Sequence, residues 1–150
     1  MSARGISANR DDDRAAIAPS FSWRIRVYWE DTDAGGVVYH ASYVRFLERA
    51  RTEWLRARGI EQGRLREEHG VVFVVYAMDL RFLRPARLDD ELDAGVMLQS
   101  RRAAALTFAQ ALVRVGDGER LVEATVRAAC VDAQSLKPMA IPSHLLAGLL

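Results

Sequence analysis

The run Tyr28-Trp29-Glu30-Asp31-Thr32-Asp33-Ala34-Gly35-Gly36-Val37-Val38-Tyr39-His40 sets two carboxylates, a paired-glycine turn and an imidazole in one short stretch. Such a set suits acyl chemistry. A carboxylate serves as base or nucleophile, and backbone N–H groups at a helix start stabilise a developing oxyanion. The flanking elements follow from periodicity. Upstream, Trp23 to Trp29 alternate bulky with charged residues, as a half-buried strand does. Downstream, Tyr43, Phe46, Leu47, Ala50, Trp54 and Leu55 recur at three and four residues, which predicts an amphipathic helix from about Ala41 to Arg58, ended by Gly59. The run is then a strand-to-helix connection, closing where unpaired N–H groups and the positive end of the helix dipole converge.

Other chemistries fit less well. Asp31 and Asp33 have a spacing common among metal ligands, but a calcium loop also needs an acid or amide and then a glutamate where Gly35 and Ser42 stand. No metal is expected. No Gly-x-Ser-x-Gly elbow, phosphate-binding loop or dinucleotide fingerprint is found, and nothing else suggests a sugar cleft for paired acids. Taken one at a time, Asp33 reads as a turn or cap residue, His40 as a surface histidine and Gly35-Gly36 as a loop. Glu48, among Arg45, Arg49, Arg51 and Arg56, reads as part of a solvated ion-pair face. Only the ordered set resists these readings.

With 150 residues, half of them hydrophobic, and a formal net charge of +1, the chain fits one globular domain and lacks the basic stripe of a nucleic-acid binder. Of its 21 basic residues only Lys137 is not arginine. Guanidinium forks suit the phosphates of a nucleotide-bearing substrate, yet the bias runs through the whole chain and codon usage explains it better. Cys130 is the sole cysteine, so no intrachain disulfide or thiolate-rich metal site is expected, and its apolar neighbours make it a buried side chain. No window is apolar enough to span a membrane and the N-terminal stretch lacks a secretory h-region. The expectation is a cytoplasmic protein with a polar, mobile tail over residues 1–20 and a domain over 21–150.

Beyond the helix, residues 61–70 are polar and charged. Val71 to Phe82 then predicts a strand, with Pro85 beyond it. Leu92 to Gln99, Leu106 to Leu112 and about Leu121 to Asp132 predict three more, joined by turns at 87–91 and 116–118, and a short terminal helix follows near Ile141 to Leu146. Strand, long helix, then four strands in a meander is an α+β order, with the helix lying on one face of the sheet. One helix leaves apolar sheet and open edges uncovered. Dimerisation is the economical remedy.

The ordered set from Glu30 to Tyr43, followed by Phe46-Leu47-Glu48-Arg49-Ala50-Arg51-Thr52-Glu53, resembles the signature of the hotdog-fold acyl-CoA thioesterases of the 4-hydroxybenzoyl-CoA thioesterase type. Within them it is most similar to the branch associated with the Tol–Pal envelope system. The likeness runs from about Ser22 to Pro142 and takes in Arg84 to Asp90 and Cys130-Val131-Asp132. It implies a long central helix wrapped by a five-stranded antiparallel sheet, with protomers paired edge to edge as dimers or tetramers. It also implies hydrolysis of acyl-CoA to free acid and coenzyme A with no cofactor. Asp33 would be the catalytic carboxylate and His40 a supporting residue, with backbone N–H groups near Gly36, Tyr39 and His40 polarising the carbonyl. Glu48 is the alternative acid, since some relatives carry theirs on the helix. The competing expectation is a non-catalytic protein of the same fold that docks acyl carrier protein or envelope partners. Residues such as Val72, Phe73, Val74 and Tyr76 are candidates to line an acyl pocket.

Overall fold

The computed structural model describes residues 21–149, so the expected tail over residues 1–20 lies outside the described residues. Five strands and three α-helices follow one another: β1 (Phe21–Arg26), α1 (His40–Arg56), α2 (Gln62–His69), β2 (Val71–Phe82), β3 (Glu91–Arg101), β4 (Ala105–Arg114), β5 (Arg120–Asp132) and α3 (Ser143–Leu146). Single 3₁₀ turns cover Trp29–Asp31 and Ala147–Leu149. The strands form one antiparallel sheet in the order β1-β3-β4-β5-β2. This is the α+β arrangement of a long helix against a five-stranded sheet.

Helix α1 earns its place through its apolar stripe. Tyr43, Phe46, Leu47, Ala50, Trp54 and Leu55 are all buried, and they meet Leu92, Ala94, Val96, Leu106, Phe108, Leu112, Val122 and Val126 from the inner face of the sheet. Alternation along β4 is nearly perfect, with Leu106, Phe108, Gln110 and Leu112 facing in. The helix ends at Arg56, two residues short of the expected Arg58. Gly59, at φ +76°, takes the left-handed conformation after the last turn, and the Ile60 N–H returns to the Leu55 carbonyl at 3.0 Å.

Three expectations need correction. The first strand ends at Arg26, because the Asp31 carboxylate draws in the Tyr28 N–H at 2.8 Å and the chain turns there. Residues 62–69 are helical although they are polar, since burying Leu65 alone anchors that turn and Gly70, at φ +64°, ends it. The four later strands are not a simple meander: β3, β4 and β5 are, but β2 crosses to the far side and pairs with β5. Both β1 and β2 are therefore edges. Tyr76 is the extra residue of a bulge in β2, which locally breaks its pairing with β5.

Candidate active site

Between β1 and α1 the chain makes a small hairpin whose closure is local. Thr32 and Val38 form an antiparallel bridge, the Asp33 N–H donates to the Val37 carbonyl at 2.9 Å and the Gly36 N–H donates to the Asp33 carbonyl at 3.0 Å. Gly36 sits at φ +78°, which favours glycine. The Asp33 Oδ1 accepts the Gly35 N–H at 2.8 Å, and a Cβ on Gly35 would stand 3.1 Å from that oxygen. Glycine there lets the carboxylate fold back over its own turn. The Oδ2 oxygen carries no hydrogen bond among the described residues, and Asp33 is exposed.

Asp31 does a different job. It is 2% exposed, its Oδ2 accepts the Tyr28 N–H, and Arg45 stands 3.9 Å from its Oδ1. Its carbonyl accepts the Tyr39 N–H at 2.8 Å, which ties the start of the hairpin to the start of α1. The two acids so similar in sequence are thus a buried brace and an exposed, half-free carboxylate.

The N-terminus of α1 has no side-chain cap. Ser42 donates to the Tyr39 carbonyl at 2.8 Å, whereas the N–H groups of His40 and Ala41 donate to no acceptor among the described residues. Of the three backbone donors expected from the sequence, Tyr39 and Gly36 are consumed in closing the hairpin and His40 remains free. A free N–H in the first turn, aligned with the helix dipole, can hold an oxyanion. The His40 imidazole is exposed, with its ring 4.6 Å from Tyr39 and 6.5 Å edge-on from Phe82 of β2.

Glu48 lies eight residues further along α1, about 12 Å at ~1.5 Å per residue, and its Oε1 accepts a hydrogen bond from the Thr52 hydroxyl at 2.7 Å, while Gln62 donates to that hydroxyl at 3.1 Å. It borders a cavity of about 120 Å³ walled by Arg51, Leu55, Phe73, Val75 and Phe108. Arg51 donates to the buried Gln110 Oε1 at 2.9 Å. Burial pulls its pKa down, against the field of Glu48. Of the apolar residues expected to form an acyl pocket, Phe73 lines this cavity, while Val74 and Tyr76 are exposed on the open edge. Sequence reasoning missed one link altogether. The Tyr43 hydroxyl accepts the Ala86 N–H at 2.9 Å, and the Ala86 carbonyl accepts the Val38 N–H at 2.8 Å. No local pattern in the chain announces a bond between residues so far apart.

An acidic hairpin thus lies beside the start of a long helix that packs against a five-stranded antiparallel sheet. The chain belongs to the family described as the thioesterase-like superfamily, which matches residues 27–149. It is 49% identical over 127 residues to the acyl-CoA thioester hydrolase YbgC of Escherichia coli, a match covering 85% of this chain and 93% of that protein. A probable thioesterase from Bartonella henselae superposes with a TM-score of 0.77 at 34% identity, over 81% of this chain and 98% of that one. A 4-hydroxybenzoyl-CoA thioesterase, solved as an Asp→Asn variant with 4-hydroxybenzoyl-CoA, shares the fold at TM-score 0.82 and 19% identity, over 89% of this chain and all of its own.

Proposed function

We propose that this protein hydrolyses acyl-CoA thioesters to the free acid and coenzyme A. The observation that carries the reading is an exposed carboxylate, Asp33, with one oxygen unbonded among the described residues, seven residues before the His40 N–H that opens α1 and is likewise unpaired among them. The thioester carbonyl would accept the His40 N–H, and Asp33 would either deprotonate water or attack the carbonyl itself. A thioester is already electrophilic and thiolate leaves readily, so no triad is needed. A general base contributes ~10²- to 10⁴-fold, and one oxyanion donor ~10²- to 10³-fold. The imidazole of His40 positions substrate or water.

Asp33 is preferred over Glu48 as the acid because Glu48 is engaged by Thr52 and lies far from the free N–H groups. The relatives' names support acyl-CoA as the substrate class and agree with the Tol–Pal-associated branch; a cytoplasmic location and acyl carrier protein as a second acyl donor rest on the sequence resemblance alone. The open β2 edge supports a homo-oligomer, a dimer or a tetramer. The test is hydrolysis of a panel of acyl-CoA thioesters, aromatic ones included, by wild type, Asp33→Asn and Glu48→Gln. Asp33→Asn is expected to lose at least 10²-fold in kcat while keeping its fold, following the general-base range. Near-normal turnover by Asp33→Asn with a collapse in Glu48→Gln would transfer the chemistry to Glu48. Tight binding of an acyl-carrying partner with no turnover of any thioester would favour the non-catalytic alternative.

A further inference from the structure

The Asp33 hairpin and the α1 N-terminus must keep their mutual position for a carboxylate and a backbone N–H to act on one carbonyl, and besides the Asp31–Tyr39 bond one residue far along the chain, Ala86, ties them together. Ala86 is fully buried. Its carbonyl accepts the Val38 N–H at 2.8 Å, which anchors the strand leaving the hairpin, and its N–H donates to the Tyr43 hydroxyl at 2.9 Å, which anchors the first turn of α1. Pro85 limits the backbone on one side. On the other, the Arg87 N–H donates to Asp90 Oδ2 at 2.9 Å, and Arg114 Nη2 reaches the Pro85 carbonyl at 3.4 Å with its Nε 3.7 Å from Asp90.

We infer that Tyr43 is a positioning residue for the thioesterase site: through Ala86 its hydroxyl fixes the Asp33 hairpin against the first turn of α1, and so sets the carboxylate relative to the His40 N–H. The inference rests on the hydrolase reading only for its kinetic consequence. The side chain is suited to the task. Its ring is 4% exposed and packs against Phe46 and Phe82, with centroids 6.2 and 5.8 Å away, so the hydroxyl cannot swing off without unpacking the ring. Burial raises the phenol's pKa and outweighs the Ala86 N–H bond and the field of Arg114, which lower it, with smaller raising contributions from Asp90 and Asp33. The hydroxyl therefore stays neutral, and the Asp33 carboxylate lies within its electrostatic reach.

Tyr43→Phe in the full chain tests this, since it keeps the ring and removes the acceptor, leaving the Ala86 N–H buried without a partner. Two readouts are needed. In amide hydrogen exchange, Val38 and Ala86 should exchange at least ~10-fold faster in Tyr43→Phe while amides of the β3–β4 pairing keep their rates, a factor of ten corresponding to about 1.4 kcal/mol of local opening. In the acyl-CoA assay, kcat should fall ~10-fold or more with KM changed less than about threefold, as expected when reacting groups are misplaced rather than binding lost. A control, Ile141→Val, trims a buried core residue outside the hairpin, and should lower thermal stability without changing kcat. Unchanged exchange at Val38 and Ala86, or unchanged kcat in a folded Tyr43→Phe protein, would overturn the inference. A wild type inactive on every thioester would instead sink the hydrolase reading, and the exchange result alone would then decide the role of Tyr43.

Discussion

Asp33 shows how much a single glycine can contribute to the placing of a carboxylate. Its Oδ1 is held by the Gly35 N–H, and the Cβ missing from Gly35 is what permits that approach. Gly35→Ala puts a methyl 3.1 Å from the oxygen, so the carboxylate must rotate by a few tenths of an ångström or more. We expect kcat to fall ~10-fold, in line with the sensitivity of catalysis to small misplacements, with little change in melting temperature; an unaffected kcat would show that the bond to Gly35 has no part in aiming Asp33. His40 gives the complementary test. His40→Ala removes the imidazole but keeps the N–H, so it should lower turnover by less than Asp33→Asn does, leaving a rate that is readily measured. Equal and complete loss in both folded variants would mean that acid and imidazole act as one coupled unit. The candidate set could be named from the sequence because it is contiguous: carboxylate, glycines, histidine and helix start all lie in residues 31–43. The residue pattern by itself did not separate Asp31 from Asp33, which only the family resemblance did, and nothing in it separated the free His40 N–H from the occupied ones of Tyr39 and Gly36, since those differences arise only when the hairpin closes on itself.

At the scale of elements, periodicity located α1 and all five strands to within a few residues; α1, β4 and β5 bury regular faces, while β1 and β2 alternate in sequence though each fully buries a single residue. It failed where no such pattern exists or pairing is remote. Helix α2 hides only Leu65, so its pattern carried no apolar stripe to read, and the pairing of β2 with β5 is a choice made by the whole sheet. The link from Tyr43 through Ala86 to Val38 is invisible for the same reason. The turn after β5 offers a prediction of its own. Asp132 Oδ1 accepts the N–H groups of Ser135 at 2.7 Å and Gln134 at 3.0 Å, and these bonds hold its pKa below the usual aspartate value. Because the folded pKa is the lower one, this carboxylate stabilises the turn at neutral pH and above the ordinary aspartate pKa of about 3.9, and that contribution drains away as pH falls through the lowered value. The protection of the Gln134 and Ser135 amides, relative to their intrinsic exchange rates, should therefore fall below about pH 4, and Asp132→Asn should flatten this pH dependence. Rates in the wild type that follow only the intrinsic pH dependence of exchange would refute the assignment.

For the whole molecule, the two open edges of the sheet are not alike. Strand β1 is six residues long and its outward side chains Arg24 and Arg26 are engaged with Glu91 and Asp93 across the β1–β3 pairing, a short charged edge of the kind that discourages further strand addition. Strand β2 is twelve residues long, and Val74, Val75, Tyr76, Phe82 and the following Leu83 are all more than a third exposed. Such an edge invites pairing with a second copy of itself, and Phe82 connects it to the site, since its ring stands beside both His40 and Tyr43. Assembly and catalysis should then be lost together. Val74→Arg places a charge on the apolar edge, where a lone protomer tolerates it at the surface but a paired edge does not. By light scattering the wild type is expected to be at least a dimer and the variant to shift towards monomer, with acyl-CoA hydrolysis falling in proportion across a dilution series as mass action requires. A folded, monomeric Val74→Arg protein with wild-type kcat would show that one chain holds a complete site, and that β2 is an edge the protein leaves open for some other reason.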